Sequence, residues 1–449
     1  VEDMTSKSRL IITNITIAAF LAAPLASAQT TVSQPMSLRA AVEMARTRNP
    51  SYMVTREIIN QNEAQIPLTR AAILPNANLY GYSTYEKNAV TSPTSRFNGD
   101  PYNVYETDLN VKQPLFQVGS ISAIQSVQKS RDMSQLDAEA ARRDLTNSVI
   151  GAYYLITLNA RNVDTLLRQQ SIVRESLATA EHREHTGRGQ LLDVLQVKTQ
   201  IALLDAQISS AKNQLAVAAA TLANLLGDNE AKEFRVRGGL EVPQLHEIDS
   251  HVDLTKFRLP ELEKNRVGLL QIEDQRQVII GQHLPNLAFT GDLFYTATDK
   301  SDVFDDSSKS WQMMVTLTIP IFSGLSNIYQ RRTLASQQTQ LEYSRVNLQN
   351  SFTLQQVSSR KNLETAEQSI ISGIEALKLA IASSNEALRN YRLATIDFLQ
   401  FLTVQQAYVQ AEQSLNASKY SYITALGSYY VASGQDLDSL IDILEGVNR

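Results

Sequence analysis

The amino-acid pattern predicts a mixed, mainly α chain in which one unit is used twice: helix, β-hairpin, long helix, returning helix. Three observations carry this prediction. From Val194 and Val197 through Ile201, Leu204 and Ile208 to Leu222 and Leu225, apolar residues recur in steps of three and four without a break. That is the period-3.5 seam of a coiled coil. The seam returns 207 residues later, from Phe401 through Val404, Tyr408 and Leu415 to Tyr429 and Ala432, with Ser418 its polar member. Finally, Leu74-Pro75-Asn76 and Pro114-Leu115-Phe116 bracket two strand-like segments, and Leu284-Pro285-Asn286 and Pro320-Ile321-Phe322 bracket two more. A fixed offset shared by several features marks an internal duplication.

Composition narrows the function classes. Charged residues make up 19% of the 449 and the net charge is -5, so no basic face on the scale of nucleic-acid binding is expected. The absence of cysteine excludes disulfides, thiolate metal sites, a cysteine nucleophile and a lipid-anchoring thiol. Glycine is sparse at 17 residues, which favours long helices over a turn-rich all-β chain. Lys7 and Arg9 precede an apolar run from Leu10 to Leu25, and Ala26-Ser27-Ala28 has the small-x-small form of a cleavage site. Residues 1–28 are therefore expected to be a signal peptide, with a short buried helix as the alternative, and the mature chain to be exported from about Gln29. After that no stretch approaches the roughly 18 apolar residues of a spanning helix. A membrane crossing must then be a closed barrel.

The first repeat, 29–227, opens with a helix over about 37–73 that buries Leu38, Ala41, Val42 and Ala45. Asn49-Pro50 interrupts it, and Pro67 is expected to kink or end it near Ile66. Strands follow at about 77–85 and 104–113. In the second, Tyr105, Thr107, Leu109 and Val111 alternate with Glu106, Asp108, Asn110 and Lys112, and a polar loop with Pro93, Asn98 and Gly99 joins the pair. Pro114-Leu115-Phe116 then gives way to a helix over about 120–185, which spans roughly 100 Å. Its stripe includes Leu145, Val149, Ala152 and Ile156. Thr186 to Gly189 turns the chain into the seam helix, about 190–226. That helix is only about half as long, and the first helix supplies the missing half by stacking on it end to end.

Residues 228–253 lack periodicity and form a connector that can hold a small strand. The second repeat, 254–434, has helices at about 255–283, 327–391 and 397–433 and strands at about 287–295 and 311–319. Trp311, Met313, Val315, Leu317 and Ile319 oppose Gln312, Met314, Thr316 and Thr318 in the last strand. The tail, 435–449, is a short acidic helix.

A lone hairpin is marginal in water. Four strands cannot close a barrel either, because closure takes about eight. Strands of this length, apolar on one face and polar on the other, suit a barrel with lipid outside and water inside. The economical solution is a homotrimer with twelve strands and twelve helical columns.

The chain resembles the outer membrane factor (TolC) family along essentially the whole mature sequence. The likeness lies in the signal peptide, the helix ending in Leu74-Pro75-Asn76, Pro114-Leu115-Phe116, and the turn from Gly187 to Asp193-Val194. The second copy adds Leu415-Asn416-Ala417-Ser418-Lys419-Tyr420-Ser421-Tyr422 before Ala432-Ser433-Gly434. The resemblance implies a trimeric outer-membrane β-barrel continued by a periplasmic α-helical barrel. It also implies an exit duct for an inner-membrane ABC or proton-driven transporter and its periplasmic adaptor, with outer-membrane lipid around it and no chemistry of its own. The cargo is secreted protein (type I secretion) or small toxic compounds, and the missing anchor cysteine leans toward protein.

By the same resemblance the two helix-to-helix turns lie together at the periplasmic tip, which closes and opens. Asp193 and Tyr391 match an aspartate and a tyrosine that hydrogen-bond between helix pairs in the resting state; alternatively Asp193 caps its helix and Tyr391 fills a seam. The family's aspartate pair aligns with Gln400 and Thr403, and an arginine that assists the latch aligns with Ile396, so the family's charged constriction cannot be carried over to this chain. Asp397 either faces the lumen or serves as a helix N-terminal acid. The adaptor-contact tripeptides align with Thr186-Gly187-Arg188 and Leu393-Ala394-Thr395, or these are turns alone. Gly187 suits a turn with positive φ, whereas Ala394 does not suit one comfortably.

Other features do not rise to function. Glu181-His182-Arg183-Glu184-His185 lacks zinc-protease spacing and is expected on a polar face. Asp299, Asp302, Asp305 and Asp306 are too irregular for a calcium loop and are expected at a solvated rim. No phosphate-cradling loop or nucleophile–base pair stands out, so neither an enzyme nor a cofactor is expected. A periplasmic coiled-coil spacer capped by hairpins is the structural alternative to the duct. It would extract without detergent.

Overall fold

In the computed structural model, residues 35–87, 101–228, 236–243 and 259–448 are described. The expected signal peptide, most of the loop before the second strand and much of the connector lie outside them, as do residues 255–258 of the helix expected from 255.

Ser37 starts helix α1 (Leu38–Arg48), its Oγ accepting from the Ala40 N–H at 3.2 Å. Asn49 then serves two helices. Its N–H closes α1 on the Ala45 carbonyl, and its Oδ1 accepts from Tyr52 N–H at 3.0 Å to cap α2 (Pro50–Ala71). Pro67 does not end α2, so of the two outcomes expected for it, a kink or an end, the end does not occur. It falls in the last turns, where one missing N–H costs one ladder bond, and the chain leaves through tighter bonds such as Ile73 N–H to the Arg70 carbonyl.

Strands β1 (Asn76–Glu86) and β2 (Tyr102–Phe116) precede helix α3 (Ser120–His185), and α4 (Leu191–Leu226) returns. The second repeat gives α5 (Pro260–Gly281), β3 (Asn286–Ala297), β4 (Lys309–Thr318), α6 (Ser326–Arg392) and α7 (Phe398–Ala432). A last helix, α8 (Leu437–Val447), is capped by Asp436. β2 runs on through Pro114 to Phe116, past the expected end, with a register shift at that point.

The two hairpins form one antiparallel sheet in the order β1-β2-β3-β4. Its register aligns Leu79, Leu109, Leu293 and Trp311 in one row, and Asn78, Asn110, Asp292 and Gln312 in a row one residue away. Side chains alternate along a strand, so these rows lie on opposite faces. On the polar face Asn110 donates to Asp292 at 2.5 Å across the junction of the repeats. β1 and β4 are the outer strands, and β4 is exposed along its whole length.

α2 and α4 both pack along α3, and α5 and α7 along α6. Asn49 Nδ2 donates to the Leu225 carbonyl at 2.9 Å, which sets the end of α4 against the α1–α2 junction. Gly227 leaves α4 with φ +70°, and a Cβ there would sit 2.4 Å from the Arg48 carbonyl oxygen. α1 and α8 cross the middle of α3, where Leu38, Val42, Ile150, Leu440 and Leu444 share a core. Tyr153 fastens this belt: its hydroxyl meets the carbonyls of Met36 and Arg237 and accepts from Arg237 N–H.

The long helices are unequally covered. Twenty of the 66 residues of α3 are buried but only eight of the 67 of α6, because α3 packs against both repeats and α6 against its own α5 and α7.

Candidate functional site

The turn after α3 and the turn after α6 have the same hydrogen bonds shifted by 207 residues. Thr186, Gly187 and Arg188 donate to the carbonyls of His182, Glu184 and Arg183. Leu393, Ala394 and Thr395 donate to those of Arg389, Tyr391 and Asn390. Each closes a helix with a left-handed residue, Gly187 at φ +70° and Ala394 at φ +63°. Ala394 thus adopts the conformation that its Cβ disfavours, contrary to the expectation from residue type. The copied bond pattern imposes it, at a cost of about 1 kcal/mol. Thr186 and Thr395 return their hydroxyls to the His182 and Asn390 carbonyls, both at 2.9 Å, and all six residues of the two tripeptides are exposed.

Behind the turns, Tyr391 is buried. Its ring stacks on Phe401 at 5.0 Å between centroids and meets Phe398 edge-on at 6.0 Å. Arg183 reaches across from α3, its guanidinium 5.0 Å from the Tyr391 ring centroid, and donates to the carbonyls of Tyr391 and Arg392. Arg392 in turn pairs with Glu175 of α3. These contacts bring the two turns to one end of the molecule, which the length of α3 puts roughly 100 Å from the sheet. The aromatic group joins Val173, Ala180, Val194 and Val197 in a core drawn from α3, α4, α6 and α7.

The Tyr391 hydroxyl donates to the Ser176 carbonyl at 3.5 Å, not to Asp193. Burial pushes this phenol up, the Arg183 cation works against the shift, and the nearby Asp193 carboxylate adds to it. Asp193 lies in the first turn of α4, three residues beyond the N-cap Gln190. Asp397 is the N-cap of α7, its Oδ1 accepting from Gln400 N–H at 2.8 Å. Gln400 and Thr403 are exposed, and Thr403 turns its hydroxyl back to the Leu399 carbonyl.

Arg183, Glu175 and Arg392 are site residues that sequence patterning did not single out. Arg183 corrects the expectation that the whole 181–185 string lies on a polar face, because the aromatic group of the other repeat offers its side chain a ring and two helix-end carbonyls. The duplication held one signal: position 390, equivalent to 183, is Asn.

Residues 41–228 match the family model described as outer membrane efflux protein. Protein CyaE of Bordetella pertussis is 23% identical over 295 residues, covering 65% of this chain and 61% of that protein. Outer membrane protein OprJ of Pseudomonas aeruginosa is 26% identical over 303 residues, with 65% and 61% covered. The match therefore spans less than two thirds of either relative. The Campylobacter jejuni CmeC outer membrane channel shares the fold with a TM-score of 0.75 and 16% identity, over 90% of this chain and 88% of that one. With its duplicated helix–hairpin architecture and four-stranded sheet, the chain has the fold of these outer membrane channels, and its residues 41–228 are similar to the outer membrane efflux protein family.

Proposed function

We propose that three copies of this chain close into a channel-tunnel. Twelve strands form a barrel in the outer membrane, and the helices continue it across the periplasm. The observation that carries this reading is the single sheet β1-β2-β3-β4, which ends in two outer strands and has one apolar row. An edge strand is a pairing template, and a barrel is the arrangement that removes all edges. The uncovered α6 supports the same ring, since a second copy's α2 and α4 can cover it as α5 and α7 cover α3.

On this reading the chain is the exit duct of a tripartite export system, serving an inner-membrane ABC or proton-driven transporter through a periplasmic adaptor. It passes secreted protein or small toxic compounds and performs no catalysis. Residues 1–28 are the export signal, 29–227 and 254–434 the two repeats, 228–253 the connector and 435–449 the tail. The turns Thr186-Gly187-Arg188 and Leu393-Ala394-Thr395 are the adaptor contacts, and Asp193, Tyr391, Asp397, Gln400 and Thr403 surround the gate. Purified protein in detergent is expected near three times the chain mass of 49.9 kDa and to conduct ions in planar bilayers. A monomer, or a protein that extracts without detergent and does not conduct, overturns the reading.

A further inference from the structure

The apolar face of the sheet does not stop where the strands stop. Phe116 of β2 and Leu317 of β4 both pair with Leu287 of β3. Leu287 lies an even number of residues from Leu293, so Phe116, Leu287 and Leu317 form a second apolar row on the face that carries Leu109, Leu293 and Trp311. At this end of the sheet β2 and β4 pass into α3 and α6, each through an apolar pair behind a proline. The pairs are Leu115-Phe116 after Pro114 and Ile321-Phe322 after Pro320.

Both pairs are uncovered. Leu115 and Phe116 are 52% and 56% exposed, and Ile321 and Phe322 are 96% and 79% exposed. Two neighbours are available to cover them, a further copy of the chain or lipid, and the first repeat decides between the two. Its pair is already flanked by the other repeat, with β3 bonded alongside β2 and α5 packed on α3, as a further copy would flank the second pair. It is still more than half exposed. Contact between repeats therefore leaves an apolar surface at this level, and a contiguous surface of that kind marks an interaction site.

Length points the same way. From Leu287 to Tyr295 the apolar face of β3 measures about 26 Å along the strand and, at a tilt near 40°, about 20 Å along the membrane normal. A barrel presents an apolar band about 25 Å tall to its bilayer. The shortfall of about 5 Å is the depth that about one or two residues beyond the strand supply.

We infer that Leu115, Phe116, Ile321 and Phe322 form a collar, at the point where the chain leaves the sheet, that is embedded in the phospholipid of the periplasmic leaflet. The inference rests on the barrel proposed above and adds a lipid contact below it, made by two pairs from each copy.

The chain supplies its own control, since Trp311 is its single tryptophan and stands on the same face of the sheet, 70% exposed. Full-length protein is reconstituted in phosphatidylcholine vesicles, either plain or brominated on the acyl chains near the headgroup, and tryptophan emission is compared. The parent reads the sheet through Trp311. Two variants read the collar, one with Trp311→Phe and Phe116→Trp, the other with Trp311→Phe and Phe322→Trp. Should the second not yield heat-modifiable protein, Ile321→Trp takes the place of Phe322→Trp. Brominated lipid is expected to lower the emission of both variants at least about twofold, because an aromatic side chain in the collar lies at headgroup level. Emission that brominated lipid leaves unchanged in either variant, beside a quenched parent, overturns the inference and gives that pair to a contact between copies or to water. An unquenched parent instead overturns the barrel reading itself.

Discussion

Arg183 lies over the ring of Tyr391 and also donates to the carbonyl of the same residue, so one side chain grips both the face of an aromatic and the end of its helix. The helix C-terminus favours a cation, and the ring quadrupole favours it again. The useful part of Tyr391 is therefore its ring. Tyr391→Phe keeps the stack on Phe401 and loses only a 3.5 Å bond to Ser176, so its stability is expected to stay within about 1 kcal/mol of the parent, with leak conductance unchanged. Tyr391→Ala empties the aromatic core at a cost of about 3–5 kcal/mol and should raise leak conductance. Thermal unfolding and bilayer recordings on the two variants separate the ring from the hydroxyl. A leaky Phe variant would restore a latch through Asp193.

The twin turns give a second test, because equal geometry is built from unequal residues. Gly187 has open space where a Cβ would go, so Gly187→Ala changes only backbone preference. It should destabilise the tip by about 1 kcal/mol. Ala394→Gly relieves the strain of φ +63° and should leave stability equal or higher by up to about 1 kcal/mol. Limited proteolysis at the turns reads both, with faster cleavage expected for the first variant and not for the second.

Much of this architecture was legible because it is written in long periods. The Val194–Leu225 seam needs only counting, and its copy at 207 residues leaves little freedom in where the second repeat begins. The alternation of β2 and β4 was equally plain, since each strand turns opposite chemistry to its two faces. Single-residue effects were harder to read. Pro67 looks like a stop, but its position near the end of α2 decides how many bonds it can remove. Ala394 looks unsuited to a left-handed turn, but the bonding pattern around it prevails. Arg183 reads as one member of a charged string until chain folding brings it to Tyr391, 208 residues away. Local pattern holds no record of such a meeting.

The row Leu79, Leu109, Leu293 and Trp311 should face lipid, and the row containing Asn110 and Asp292 should face water. A lysine near the bilayer midplane of a barrel costs about 2–4 kcal/mol. Leu109→Lys is therefore expected to lower stability by that amount in a urea titration from vesicles, with less heat-modifiable barrel on gels. Asn110→Lys, one residue away and on the other face, should cost less than about 1 kcal/mol. Equal costs for the two would mean that the sheet is not lining a pore.

The equatorial belt makes a prediction in pH. Tyr153 is 2% exposed, and burial pushes its phenol from 10.0 up to about 12, against the lowering effect of its bond to the Arg237 backbone. The neutral form is the one that fits the fold, because the hydroxyl proton is donated to a carbonyl and a phenolate would be desolvated, a penalty that the Arg237 charge offsets only in part. A pKa raised on folding gives stability that is complete below the unfolded value and is lost as pH rises through the folded one. The window is therefore roughly pH 10 to 12. At about 1.4 kcal/mol per unit, roughly 2–3 kcal/mol should disappear across it. Tyr153→Phe loses its bonds to Met36 and Arg237 at every pH, at a cost of about 1–3 kcal/mol at neutrality. Its melting temperature should then fall less steeply than the parent's between pH 10 and 12, with Tyr154, which burial also raises, accounting for part of what remains. Parallel curves for the two proteins would show that the belt is not held by this hydroxyl.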